Sequence, residues 1–129
     1  MKNNKNLTIV IVEDEPAMKI AINDSFSRNG FTTICASDGK EGLEIILAHK
    51  PDLVILDIFM PIMDGKEVMR QLRKDAWGST VPVLVLTNLS LDGAELVEAM
   101  IETSPEYFLL KSDWTLDEIV SKAEKILLK

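Results

Sequence analysis

Residues 53–65 read LVILDIFMPIMDG, and the architecture of the chain turns on this stretch. Leu53 to Leu56 is an apolar run with two β-branched members, too short for a helix, and it predicts a strand buried on both faces. The run stops at a carboxylate, Asp57. Met60-Pro61 and Asp64-Gly65 follow at once and mark a constrained turn. An acid at the C-terminal end of a buried parallel strand lies on the sheet edge where open α/β folds bind ligands. Asp is also a common turn and capping residue, so the assignment of Asp57 rests on what the other strands bring beside it.

A length of 129 residues predicts a single domain, 1–129, with Met1 to Asn6 as a polar N-terminal extension. An apolar content of 47% and a charged content of 27% are those of an ordinary globular chain. The formal net charge of −7 argues against nucleic acid as a direct partner, because phosphate binding needs clustered Lys and Arg. No apolar run approaches the roughly 20 residues that span a bilayer, and Met1 to Asn6 offers no signal-peptide core. The expectation is a cytoplasmic protein with no membrane association. Cys35 has no disulfide partner and is expected to be a small core residue.

In order, the chain alternates strand with helix. Leu7 to Val12 is a first strand, closed by Glu13-Asp14-Glu15-Pro16. Pro16 suits the first turn of a helix running to about Asn29, with Met18, Ile22 and Phe26 as its inward stripe and Ile20 off that stripe. Phe31 to Ala36 is the second strand. Asp38 with Glu41 resembles a capping box for a second helix that carries Leu43, Ile46 and Leu47 inward and ends near His49. After the central strand, residues 66–75 form a third helix on Val68, Met69 and Leu72, and Trp77 to Thr80 connect it onward. Val81 to Leu86 is a fourth strand closed by Thr87. A fourth helix is expected from about Asp92 to Thr103. Tyr107 to Leu110 is a fifth strand closed by Lys111, and Thr115 with Glu118 caps a last helix carrying Leu116, Ile119, Ala123, Ile126 and Leu127.

Five βα units imply an α/β fold with a parallel sheet and helices on both faces, since each right-handed crossover packs its helix back onto the sheet. All strand C-termini then share one edge. Glu13 and Asp14, Asp57, Thr87 and Lys111 fall on that rim, provided the strands that carry them are neighbours.

This constellation resembles the receiver domain of two-component response regulators, of the single-domain kind found among chemotaxis regulators. The matching residues span essentially the whole chain: Glu13-Asp14, the Asp57-x-x-Met60-Pro61-x-x-Asp64-Gly65 run, Thr87 and Lys111. The resemblance implies a flavodoxin-like, doubly wound (βα)5 fold with strand order 2-1-3-4-5. It also implies a phosphorylation-dependent signalling switch in which Asp57 accepts a phosphoryl group, as carboxylates do in aspartyl-phosphate chemistry. Three acids drawn together repel unless a cation offsets them, and a hard ion with oxygen ligands, Mg²⁺ or Mn²⁺ in its place, answers that need. By resemblance Asp14 and Asp57 bind the metal directly, the backbone carbonyl of Phe59 adds a ligand, and Glu13 acts through water. Lys111 supplies a charge for the phosphoryl oxygens and Thr87 a hydroxyl.

The same likeness makes Thr87 and Phe108 the switch pair, and the fourth helix, fifth strand and fifth helix the output face. Partners implied are a sensor histidine kinase or a histidine phosphotransfer protein, engaging the rim and the first helix near Ile20, and a downstream protein target. A phosphorylation-dependent homodimer is compatible with that face. Because no output domain follows the fifth helix, the chain is expected to act through a partner. It is not expected to be an enzyme with a separate substrate, although it would catalyse its own phosphorylation and dephosphorylation.

Departures from the family pattern carry their own expectations. Glu13 stands where Asp is commoner and reaches further. Asn88, in place of a small residue, narrows the approach to the site. Phe59 and Leu89, both apolar, flank the path of a hydrolytic water and cannot orient it, which predicts slow self-dephosphorylation. Ser112 replaces a proline usually preceded by a cis bond. A non-proline cis bond costs about 2.5 to 4 kcal/mol, so Lys111-Ser112 is expected to be trans, in a rearranged loop. The alternative reading is a receiver-like module that docks or dimerises without phosphorylation. A haloacid dehalogenase-type phosphatase would need a second Asp two residues after the first, where this chain has Phe59. No G-x-G-x-x-G follows the first strand.

Overall fold

The apolar runs assemble into one five-stranded sheet. The structure, a computed structural model, describes residues 6–58, 60, 62–87 and 107–128. The strands are β1 (Thr8–Val12), β2 (Thr32–Ala36), β3 (Leu53–Asp57), β4 (Val83–Thr87) and β5 (Tyr107–Leu110), parallel throughout and ordered β2-β1-β3-β4-β5. This is the doubly wound, flavodoxin-like order implied by the resemblance.

Alternation along the strands divides the core into two. Ile9 and Ile11 of β1, Leu53 and Ile55 of β3 and Leu84 and Leu86 of β4 pack against Ile22 and Phe26 of helix α1 (Pro16–Arg28) and Ile119 and Ala123 of the C-terminal helix (Leu116–Leu127). Val10, Val12, Val54, Leu56, Val83 and Val85 face the other way. They meet Leu43 and Ile46 of α2 (Gly39–His49) and Val68, Met69 and Leu72 of α3 (Gly65–Lys74). With each fully buried large side chain worth about 1.5–3 kcal/mol, the central strands cannot slip by one residue without exchanging the two faces.

Local signals set the helix ends. Thr115 and Glu118 form the reciprocal capping box, each side chain accepting from the other's backbone N–H at 3.1 and 2.9 Å. At α2 the pattern shifts by one residue. Asp38 accepts from Glu41 N–H at 2.8 Å, but Glu41 reaches back to Ser37 N–H rather than to Asp38. Pro16 opens α1 as expected, and Glu15 in front of it makes no side-chain cap.

Several boundaries move by a residue or two. β4 starts at Val83 instead of Val81 because Pro82 has no N–H for the ladder; its carbonyl accepts from Val54 N–H at 3.1 Å. α3 starts at Gly65, with Asp64 as its cap. Cys35 packs against the α1 side of the core from its margin and is not fully buried. It lies on edge strand β2, half-buried, and its Sγ contacts Asn23 Oδ1 at 3.4 Å. Burial nevertheless pushes its thiol pKa up, against a smaller opposing effect of Lys19. The expected fourth helix, Asp92 to Thr103, lies outside the described residues.

Candidate functional site

Register places the acids, the hydroxyl and the lysine on one rim. Val12 pairs with Leu56, Asp57 with Leu86, and Thr87 with Leu110, so Glu13, Asp57, Thr87 and Lys111 close four adjacent strands at one edge. The backbone beneath them is tightly held. Glu13 N–H continues the β1–β2 ladder to Ala36 O at 3.1 Å, and Gly65 N–H donates to Ile58 O at 2.7 Å. The second bond folds the β3–α3 loop back over the end of β3. A Cβ on Gly65 would stand 2.5 Å from the carbonyl oxygen of Asp57, so this closure requires glycine.

One carboxylate oxygen from each of Glu13, Asp14 and Asp57 lies within 4.8 Å of the others. Glu13 and Asp57 are almost fully buried, at 2% and 4% exposure, and Asp14 is half-buried. Two unit charges 4.8 Å apart repel by roughly 3–4 kcal/mol at an effective dielectric near 20. Lys111 offsets part of that. Its Nζ donates to Glu13 Oε1 at 2.7 Å and lies 3.5 Å from Asp57 Oδ2. Burial alone would favour neutral lysine, but the Glu13 hydrogen bond, the Asp57 and Glu13 charges and a lesser Asp57 hydrogen bond outweigh it, and the Lys111 pKa lies above its ordinary value. One ammonium against three carboxylates leaves an excess of negative charge, and the donor set is all hard oxygen, the chemistry that suits Mg²⁺.

Thr87 is fully buried, and its Oγ1 has no hydrogen-bond partner among the described residues. An orphaned buried hydroxyl costs about 1–3 kcal/mol. Phe108 is partly buried against the α2–α3 side of the core. The Lys111-Ser112 peptide is trans, as expected without proline, and Lys111–Asp113 forms a single 3₁₀ turn. Phe59, Asn88 and Leu89 lie outside the described residues, so the Phe59 carbonyl and the approach past Asn88 are not placed. His49 is solvent-exposed in the last turn of α2, away from the acids.

Two features had no sequence signal. Glu13 pairs with Lys111 across 98 residues, a contact that no local pattern encodes. Gly39, the first residue of α2, abuts the β3–α3 loop so closely that a Cβ would sit 1.9 Å from the Met63 carbonyl oxygen. Beside the acids, Met18, Ala21, Leu86, Lys111, Trp114 and Ile119 line a mostly apolar cavity of about 270 Å³ between α1 and the C-terminal helix.

Comparison with known proteins agrees with this geometry. The profile of the response regulator receiver domain matches residues 9–124. Response regulator MprA of Mycolicibacterium vanbaalenii is 35% identical over 119 residues, 92% of this chain and 49% of that protein. The chain thus spans about half the length of the curated relatives it matches. The receiver domain of a signal transduction histidine kinase from Syntrophus aciditrophicus superposes with a TM-score of 0.83 at 30% identity, covering 95% of this chain and 89% of that one. A receiver domain of a Pseudomonas aeruginosa sensor histidine kinase, with a magnesium ion in its active-site cleft, gives 0.85 at 22% identity over 95% and 98%. From the matched profile and the shared strand order, the chain belongs to the response regulator receiver domain family.

Proposed function

We propose that this chain is a phosphorylation-dependent signalling switch whose phosphoacceptor is Asp57. The observation that carries this reading is the placement of Asp57 within reach of both Glu13 and Asp14, acids of metal-binding type, and of the Lys111 ammonium at 3.5 Å. An Asp57 carboxylate oxygen attacks the phosphorus of a phosphohistidine on a sensor kinase or phosphotransfer protein. The P–N bond breaks, its electron pair stays on the imidazole nitrogen, which takes a proton from solvent, and an acyl phosphate remains on Asp57. Attack of water at phosphorus later releases phosphate and restores the carboxylate.

Such transfer is mostly positioning and charge neutralisation. Lys111 meets the arriving phosphoryl oxygens, and the Thr87 hydroxyl, without a partner among the described residues, donates to one of them. Asp14, Asp57 and the Phe59 carbonyl would hold Mg²⁺, with Glu13 behind a bound water, and the ion would offset the negative charge of the phosphoryl group; Mn²⁺ could stand in its place. The donor that delivers the phosphoryl group docks over the rim and α1, where Ile20 is 60% exposed.

Output follows from partner exchange by Thr87. As its hydroxyl turns to the phosphoryl group, Phe108 repacks inward, and the surface formed by β5 and its flanking helices changes for a downstream target or a second copy. Inverting a 1:99 equilibrium to 99:1 needs about 5.5 kcal/mol of differential interaction. The chain turns over no separate substrate in this scheme.

Labelling with acetyl phosphate tests the reading. Wild type is expected to gain a phosphoryl group on Asp57 in Mg²⁺ buffer, and neither Asp57→Asn nor metal-free wild type should do so. An unlabelled wild type would move the chain to a docking module that works without phosphorylation.

A further inference from the structure

The site divides its acids by what they already hold. Both Glu13 oxygens are engaged: Oε1 accepts from Lys111 Nζ at 2.7 Å, and Oε2 accepts from the Glu15 backbone N–H at 3.2 Å. The residue's own N–H is fixed in the sheet ladder by Ala36 O. Asp14, its neighbour, makes no hydrogen bond or ion pair with any described residue. Of the two adjacent carboxylates, one is committed to the lysine and the other is not.

We propose that Glu13 is a positioning residue for Lys111, holding the ammonium 3.5 Å from Asp57 Oδ2 so that it waits for phosphoryl oxygens without closing on the nucleophile. The proposal rests on Asp57 being the phosphoacceptor. A tight charge-assisted N–H···O contact spans about 2.7–2.9 Å; Lys111 makes one with Glu13 and only a looser approach, 3.5 Å, to Asp57 Oδ2. A lysine drawn onto Asp57 would form a buried ion pair that must part before each transfer. Reach decides which acid wins. Aspartate at position 13 would be shorter by one C–C bond, about 1.5 Å, which weakens its hold on the lysine relative to that of Asp57, 3.5 Å away. The longer side chain at position 13 therefore sets the resting position of the lysine.

A double-mutant cycle on the full chain tests this, with acetyl phosphate as phosphodonor and calorimetric Mg²⁺ titration of each protein. Glu13→Asp is expected to lower the maximal phosphorylation rate about tenfold at saturating Mg²⁺, and its Mg²⁺ affinity to fall by much less than the rate. In a Lys111→Ala background the same substitution should change the rate less than twofold, because residues acting through one contact are non-additive. Equal fold-losses in both backgrounds, or a fall in Mg²⁺ affinity that matches the fall in rate, would overturn the proposal. Melting curves establish that each variant is folded at the assay temperature; should Glu13→Asp melt below it, all four proteins are assayed at a lower temperature at which it is folded. An unlabelled wild type sinks the phosphoacceptor reading and this one with it, whereas a labelled wild type with multiplicative losses sinks only the positioning role.

Discussion

Thr87 concentrates the conflict between stability and function in one atom. Its Oγ1 is buried without a partner among the described residues, so the unphosphorylated protein bears a desolvation cost that a phosphoryl oxygen would relieve. Thr87→Val keeps the shape and removes the hydroxyl. It should raise unfolding free energy by about 1 kcal/mol in chemical denaturation, with an unchanged slope, while the phosphorylated form loses its output. A destabilised valine variant would mean that the hydroxyl has a partner after all. Phe59 is the second residue whose chemistry makes a claim. An apolar side chain two positions after Asp57 cannot orient water, so Phe59→Asn is expected to speed phosphate loss from labelled protein several-fold, and an unchanged rate counts against the idea.

At the scale of elements, the β3–α3 loop is the least relaxed connection described. Ile62 sits in the left-handed region at φ 71°, and its side chain is 79% exposed. For a β-branched residue that backbone costs roughly 1–2 kcal/mol, more than glycine loses in chain entropy. Ile62→Gly should therefore stabilise the protein by up to about 1 kcal/mol in thermal or denaturant melts. Gly39 acts on the same loop from α2. Gly39→Ala pushes a methyl into the Met63 carbonyl and should cost about 1–3 kcal/mol, and by shifting the loop it should also weaken Mg²⁺ binding. An alanine variant with native stability would show that α2 can back away. These two positions mark where sequence reading runs out. Strand identities, the Thr115–Glu118 box and the buried faces of the helices follow from neighbours within one turn or one strand, and they read directly from the chain. The Gly39–Met63 approach and the left-handed Ile62 arise when distant elements pack, and isoleucine is among the residues least expected at such a φ. The rim residues were legible because strand ends are local features; the contact between Glu13 and Lys111 was not, because a side-chain reach across the sheet has no periodicity.

Across the whole molecule, the rim behaves as a charge trap closed by folding. Unfolded, Glu13, Asp14 and Asp57 are solvated and apart; folded, they share one small region with the Lys111 ammonium. The Lys111 pKa is raised by folding, so its stabilising contribution is fully present below the ordinary lysine value and is lost only as pH rises through the folded one. At neutral pH it is complete. Removing that cation should be severe: Lys111→Ala strips the partner from a buried carboxylate and is expected to cost about 3–5 kcal/mol in chelator-treated buffer. A metal that binds only the folded chain adds RT ln(1 + [L]/Kd), about 2.7 kcal/mol at a hundredfold excess over Kd. Mg²⁺ should therefore raise the melting temperature of wild type, recover part of the Lys111→Ala loss, and do neither in Asp14→Asn, with EDTA reversing each gain. If Asp14→Asn responded to Mg²⁺ like wild type, the cation would have to be held elsewhere, and the division of labour between Asp14 and Glu13 would fail with it.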